Sequence, residues 1–159
     1  MPVSTSWIHG AYVKKTEAAL HIQERKLVLA GGSSVHFGIS AESITKALKI
    51  QTINYGVMAL LDMDYTLYRL KRILKPGDMV ILPLEYYHYG FSHAAPYSEQ
   101  KKYYILTCDH DYFYAEVPFL QKVRLLYSIN PLLFLSAFFE KIKSQNNLAE
   151  GGQYKEPSE

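Results

Sequence analysis

Apolar residues along this chain alternate between helical spacing and short unbroken runs, and the alternation marks out an ordered set of elements. From Trp7 to about Gln23 the apolar positions, Tyr12, Ala19 and Leu20 among them, have the spacing of a helix. Lys26-Leu27-Val28-Leu29-Ala30 is an apolar run closed by Gly31-Gly32, too short for a helix and suited to a buried parallel strand. Ser40 stands where an N-cap belongs, before a helix through Leu48 with Ile44, Ala47 and Leu48 on one face. Gln51 to Asn54 predicts a second strand, with Gly56 just beyond it. Val57, Leu60, Leu61, Leu67, Leu70 and Leu74 recur at helical steps and predict one helix over 57–74. Lys75-Pro76-Gly77-Asp78 stops that helix, and Met79-Val80-Ile81-Leu82-Pro83-Leu84 predicts a third buried strand.

Strand, helix, strand, helix, strand is the order of βαβ units, whose crossovers are almost always right-handed. The fold class expected is α/β, with a three-layer flavodoxin-like parallel sheet in strand order 2-1-3 and extra helices at the C-terminal side. Residues 86–115 are aromatic, contain histidine and show little periodicity, so they are expected to be irregular. Pro118 to Tyr127 and Pro131 to Lys143 predict two apolar helices broken at Asn130-Pro131. One domain over 1–143 is expected, with N-terminal helix 7–23, core 26–85, and a polar tail 144–159 of disordered composition.

The 159 residues suffice for one core, and a formal charge of +2 with no basic stripe gives no support for nucleic acid as a partner. One cysteine, Cys108, excludes an internal disulfide and a cysteine metal cluster. No apolar run reaches the roughly 20 residues of a membrane span, and the first residues lack the apolar core of a signal peptide. As given the chain is expected to be soluble, though an anchor removed from its front would be compatible with that. The 14 tyrosines are the compositional outlier. Tyr86, Tyr87, Tyr89, Tyr97, Tyr103 and Tyr104 could stack on sugar rings, or pack over a sheet edge.

Chemistry concentrates in Leu27-Val-Leu-Ala-Gly-Gly-Ser33-Ser34-Val-His-Phe-Gly38. Catalytic groups of open α/β sheets gather at the carboxyl ends of strands, where Ser33 is placed. Gly31-Gly32 lets the backbone curl, which can turn amide N–H groups toward an anion. A serine hydroxyl becomes a nucleophile only when a base takes its proton. The same segment could instead cap a turn or hold a phosphate.

Gly31-Gly32-Ser33 resembles the Gly-Asp-Ser first block of the SGNH (GDSL-type) hydrolases. The longer run through Ile39 is similar to that of a bacterial subgroup of envelope proteins, some of which act in acylation of surface polysaccharide. Thr52-Ile53-Asn54-Tyr55-Gly56 is similar to the family's second block, and Lys75-Pro76-Gly77-Asp78 with the strand after it to the approach to its third. The resemblance spans about residues 24–90. It implies acyl-ester hydrolysis or transfer, with Ser33 as nucleophile and Ser34 as its rival. The N–H groups of Gly56 and Ser33, with Asn54 as a further candidate, would hold the oxyanion, and no cofactor is required. It also implies an acyl-ester or polysaccharide substrate, and a cell-envelope location if an anchor preceded the chain.

Two departures bear on activity. After the third strand the family has asparagine, where this chain has Leu84-Glu85-Tyr86-Tyr87. The family's closing Asp-x-x-His block, which supplies the base, is absent. Three explanations stay open: a chain cut before that block, a fold that lost its activity, or a local base from Glu85 and His88. In the second case the chain is a non-catalytic binding or assembly module. In any of the three, the apolar faces of the C-terminal helices are expected to meet a homo-oligomer partner or an envelope protein. A nucleotide-binding domain is disfavoured, because neither a Gly-x-Gly-x-x-Gly run nor a P-loop lysine is present. His36 is expected to be structural. His88, His93, Asp109, His110 and Asp111 match no metal-ligand spacing, so no metal site is assigned.

Overall fold

The computed structural model describes residues 5–89 and 97–149. It divides into two compact units, Gly10–Ala95 and a second made of Met1–His9 with Pro96–Glu159.

The Gly10–Ala95 unit is α/β. Its strands β1 (Lys26–Leu29), β2 (Gln51–Asn54) and β3 (Met79–Ile81) form a parallel sheet in the order β2-β1-β3. Val28 pairs with Ile53 on one side and with Val80 on the other. The expected order 2-1-3 is therefore observed. β1 is buried along its whole length, as an unbroken apolar run requires. Leu27 and Leu29 pack with Val35, Ile39, Ile44, Ile50 and Met79 on one face.

Helix α1 (Ser6–His21) leads into β1, and α2 (Ser33–Gly38), a single short helix, follows it. α3 (Ala41–Leu48) begins where expected: the Ser40 hydroxyl accepts the Ser43 N–H at 3.2 Å. It ends on Lys49 in the left-handed conformation, φ 56°. The helix expected over 57–74 is interrupted. A 3₁₀ turn at Ala59–Leu61 precedes α4 (Asp62–Lys71), and the chain breaks at buried Asp62, φ 65°. Helical spacing of leucines does not register such a backbone break. β3 also ends at Ile81, short of the expected Leu84. Tyr12 meets Tyr55 and Tyr65 edge to face, with centroids 5.7 Å away in each case, and the Arg69 guanidinium lies over its ring.

The described residues of 86–115 are not irregular. They hold α5 (Tyr86–Tyr89), α6 (Glu99–Thr107) and α7 (His110–Ala115). Ser98 caps α6 through the Lys101 N–H, and Asp109 caps α7 through the Tyr112 N–H. The period was hidden because Lys101 and Lys102 are buried among the tyrosines. The Lys101 ammonium sits 4.1 Å from the Tyr97 ring centre, and Lys102 pairs with Glu99. α8 (Phe119–Tyr127) and α9 (Pro131–Ala149) follow, broken at Asn130-Pro131 as expected. α9 runs through Ala149 into the segment read as tail; residues 150–159 lie outside the described residues. Tyr103 and Ala137 centre the core here, with Ile129, Leu133 and Phe134 around them.

Candidate functional site

The carboxyl end of β1 is built by close backbone approach. Pairing continues past the strands: Ala30 N–H donates to Ile81 O at 3.0 Å, Tyr55 N–H to Leu29 O at 2.7 Å, and Val57 N–H to Gly31 O at 3.1 Å. A Cβ on Gly31 would lie 2.6 Å from Val35 Cγ2, and one on Gly32 would lie 2.7 Å from Ala59 Cβ and collide with Glu85 Oε1. Neither glycine has positive φ. The pair serves space, not curl, which corrects the expectation from sequence.

Ser33 and Ser34 open α2 and are both exposed. The Ser33 hydroxyl carries no hydrogen bond among the described residues. Ser34 is the serine that meets a carboxylate: its Oγ–H donates to Glu85 Oε1 at 2.8 Å, and its N–H reaches the same oxygen at 3.3 Å. Glu85 thus lies against Gly32 and the first turn of α2.

Asn54, at the end of β2, fastens this turn. Its Nδ2 donates to Val35 O at 2.7 Å and Ile39 O at 2.9 Å, and reaches His36 O at 3.3 Å. Its Oδ1 accepts the Gly56 N–H at 3.1 Å and the Lys15 ammonium at 3.2 Å. The Gly56 amide is therefore already engaged, which removes it as an oxyanion donor in this conformation. Both ends of the Asn54 amide are engaged, with backbone groups and with the Lys15 ammonium. A Cβ on Gly56 would lie 2.6 Å from Val35 Cβ and 2.9 Å from His36 N.

Sequence reasoning missed Lys15. Its ammonium donates to Gly56 O at 2.7 Å and lies 2.8 Å from His36 Nδ1. A protonated lysine makes Nδ1 the acceptor, so the His36 proton resides on Nε2 and the 3.2 Å approach of Nδ1 to Gly56 O is contact only. Nothing in the sequence marks this lysine, since its partners lie on other elements. His36 belongs to this network and carries no bond to either serine.

His88 is tied to Glu85, but through the backbone: Glu85 N–H donates to His88 Nδ1 at 3.0 Å. With Nδ1 accepting, a neutral ring carries its proton on Nε2 and is a donor there, not a base. No histidine bonds to Ser33 or Ser34 among the described residues. Tyr103 and Tyr104 are fully buried, which withdraws them as sugar platforms, whereas Tyr86 and Tyr89 are exposed. His93 and the side chain of Tyr87 lie outside the described residues. Asp109 is a helix cap and His110 bonds to Leu106 O, and no group of three or more metal-ligating side chains gathers among the described residues. An open cleft of about 480 Å³, lined by Arg25, Thr45, Lys46, Lys49 and Gln51, lies at the amino ends of β1 and β2, far from the serines.

Comparison of the chain with family models, with curated proteins and with solved structures gave no match.

Proposed function

We propose that the Gly10–Ala95 unit is the core of an SGNH-like acyl-ester hydrolase or acyltransferase with flavodoxin-like layering, in which Ser33 is the nucleophile. The observation that carries this is an exposed serine, its hydroxyl unengaged, at the carboxyl end of the central strand of a β2-β1-β3 parallel sheet. Ser33 Oγ would attack the ester carbonyl, lose its proton to a base, and expel the alcohol. Water or a sugar hydroxyl would then take the acyl group from the serine. A sugar acceptor is supported by Tyr86 and Tyr89, exposed just after Glu85. The base requires a rearrangement: His88 must release the Glu85 N–H to present an unprotonated nitrogen, or a group outside the described residues must supply it.

A second reading rests on the Ser34–Glu85 bond. Glu85 already fills the first turn of α2, as a closing contact would in a binding or assembly module without catalysis. Reaction with a fluorophosphonate, followed by intact mass, separates the two. Labelling lost in Ser33→Ala and kept in Ser34→Ala supports the enzyme. Labelling lost only in Ser34→Ala transfers the role to the Ser34–Glu85 pair. A folded sample that takes no label supports the module.

A further inference from the structure

Helices α8 and α9 carry their large apolar side chains outward. On α8, Phe119, Leu120, Val123, Leu126 and Tyr127 are exposed while Leu125 is buried. On α9, Leu132, Leu135, Phe138, Phe139 and Ile142 are exposed while Ala137 is buried. The degree is decisive at four positions: Phe119 is 81%, Tyr127 94%, Leu132 77% and Phe139 63% exposed. At about 100° per residue, the exposed set on each helix fills an arc of roughly 120°.

The edges of these arcs are basic. Arg124 and Lys143 edge the arcs of α8 and α9 as exposed cations; Lys122 and Lys141 stand at the other two edges, but their ammonium groups donate to Tyr114 O and Thr107 O. Residues 119–143 hold these four cations against one carboxylate, Glu140, and Leu125 to Phe139 holds no charge at all. The two helices together have the apolar length of a membrane segment, but they bend by 97° at Asn130-Pro131. Among the described residues, no single helix is long and apolar enough to cross a bilayer. An apolar arc edged by lysine and arginine on a bent pair suits a helix lying in the lipid interface, its cations reaching the headgroups.

We propose that α8 and α9 form a docking surface for an anionic lipid bilayer, with the two apolar arcs set into the acyl boundary. Charge complementarity selects this occupant: a purely apolar partner would leave the exposed Arg124 and Lys143 at its rim without a counter-charge. The proposal stands apart from the chemistry assigned to Ser33.

The test is sedimentation of the full chain with vesicles of phosphatidylcholine, with and without phosphatidylglycerol. Binding is expected to both, and to be tighter to the anionic vesicles. Arg124→Gln and Lys143→Gln should each weaken that binding roughly five-fold at low salt, with little effect on neutral vesicles. Leu132→Asp with Phe139→Asp should abolish binding while leaving the circular dichroism unchanged, since both side chains are exposed. A folded sample that stays in the supernatant would falsify the proposal. So would a dimer in light scattering that the Leu132 and Phe139 substitutions dissolve, if vesicles are not bound, because a second copy would then own the surface.

Discussion

At the level of single residues the Gly10–Ala95 unit is constrained by a buried ion pair. Lys26 and Asp78 side chains are 0% and 2% exposed, with Nζ 2.7 Å from Oδ2. Asp78 also accepts the Lys26 N–H at 3.1 Å and the Lys75 N–H at 2.8 Å, so it joins the start of β1 to the turn before β3. Burial works against its charge, but the Lys26 ammonium and the two backbone N–H groups outweigh that and hold its carboxyl below the usual 3.8. The sign follows. A lowered native pKa adds stability that is complete above the unfolded value and is lost as pH falls through the native value. Asp78→Asn leaves a buried ammonium without its counter-charge and should cost about 3–5 kcal/mol at neutral pH. Urea unfolding against pH should also lose the Asp78 share of the acid-side decline expected for the wild type as pH falls below 3.8. Two glycines make a second residue-scale contrast. Gly56→Ala drives a Cβ into Val35 and the His36 backbone and should cost about 1–3 kcal/mol, with the midpoint of urea unfolding as the measure. Gly38→Ala meets nothing within 4 Å and should stay within about 0.5 kcal/mol of wild type.

Between elements, Asn54 is the tie that gives the serine turn its shape. One side chain satisfies carbonyls of α2 and its C-terminal end, and the N–H of Gly56. Asn54→Asp replaces the donor by an acceptor facing Val35 O and Ile39 O, and should destabilise more than Asn54→Ala. The alanine variant, which leaves those groups unsatisfied, should cost about 1–3 kcal/mol. A thermal or urea series that ranks Ala below Asp in stability would contradict this role. The C-cap of α3 offers the opposite direction. Lys49 holds φ 56°, a conformation that favours glycine, so Lys49→Gly should gain about 0.5–1 kcal/mol in the same assay. The legible part of the fold consisted of elements whose signal is local. The apolar run of β1, the Ser40 cap and the Pro76-Gly77 stop needed no partner to be recognised. Asn54 entered as a candidate for the oxyanion and the structure gives it a backbone role, because its acceptors and donors come from segments that only the fold brings together. Lys15 was invisible for the same reason.

Across the whole molecule, the limit of sequence reasoning lies where charge and apolarity exchange their usual places. Lys101 and Lys102 are buried while Phe119, Leu132 and Phe139 face outward, so periodicity found α8 and α9 and missed α6 and α7. The exposed set cannot be holding the second unit together, because side chains in water contribute little to folding. The buried set must do so. Phe119→Ser, Leu132→Ser and Phe139→Ser should therefore each leave the urea midpoint within about 0.5 kcal/mol of wild type while raising the solubility limit. Ala137→Leu, on the same helix as two of them but fully buried beside Tyr103, forces extra volume into a filled site and should cost about 1–3 kcal/mol. If the serine variants instead lowered the midpoint as much as Ala137→Leu, those side chains would be part of a core, and the outward face of α8 and α9 would be interior.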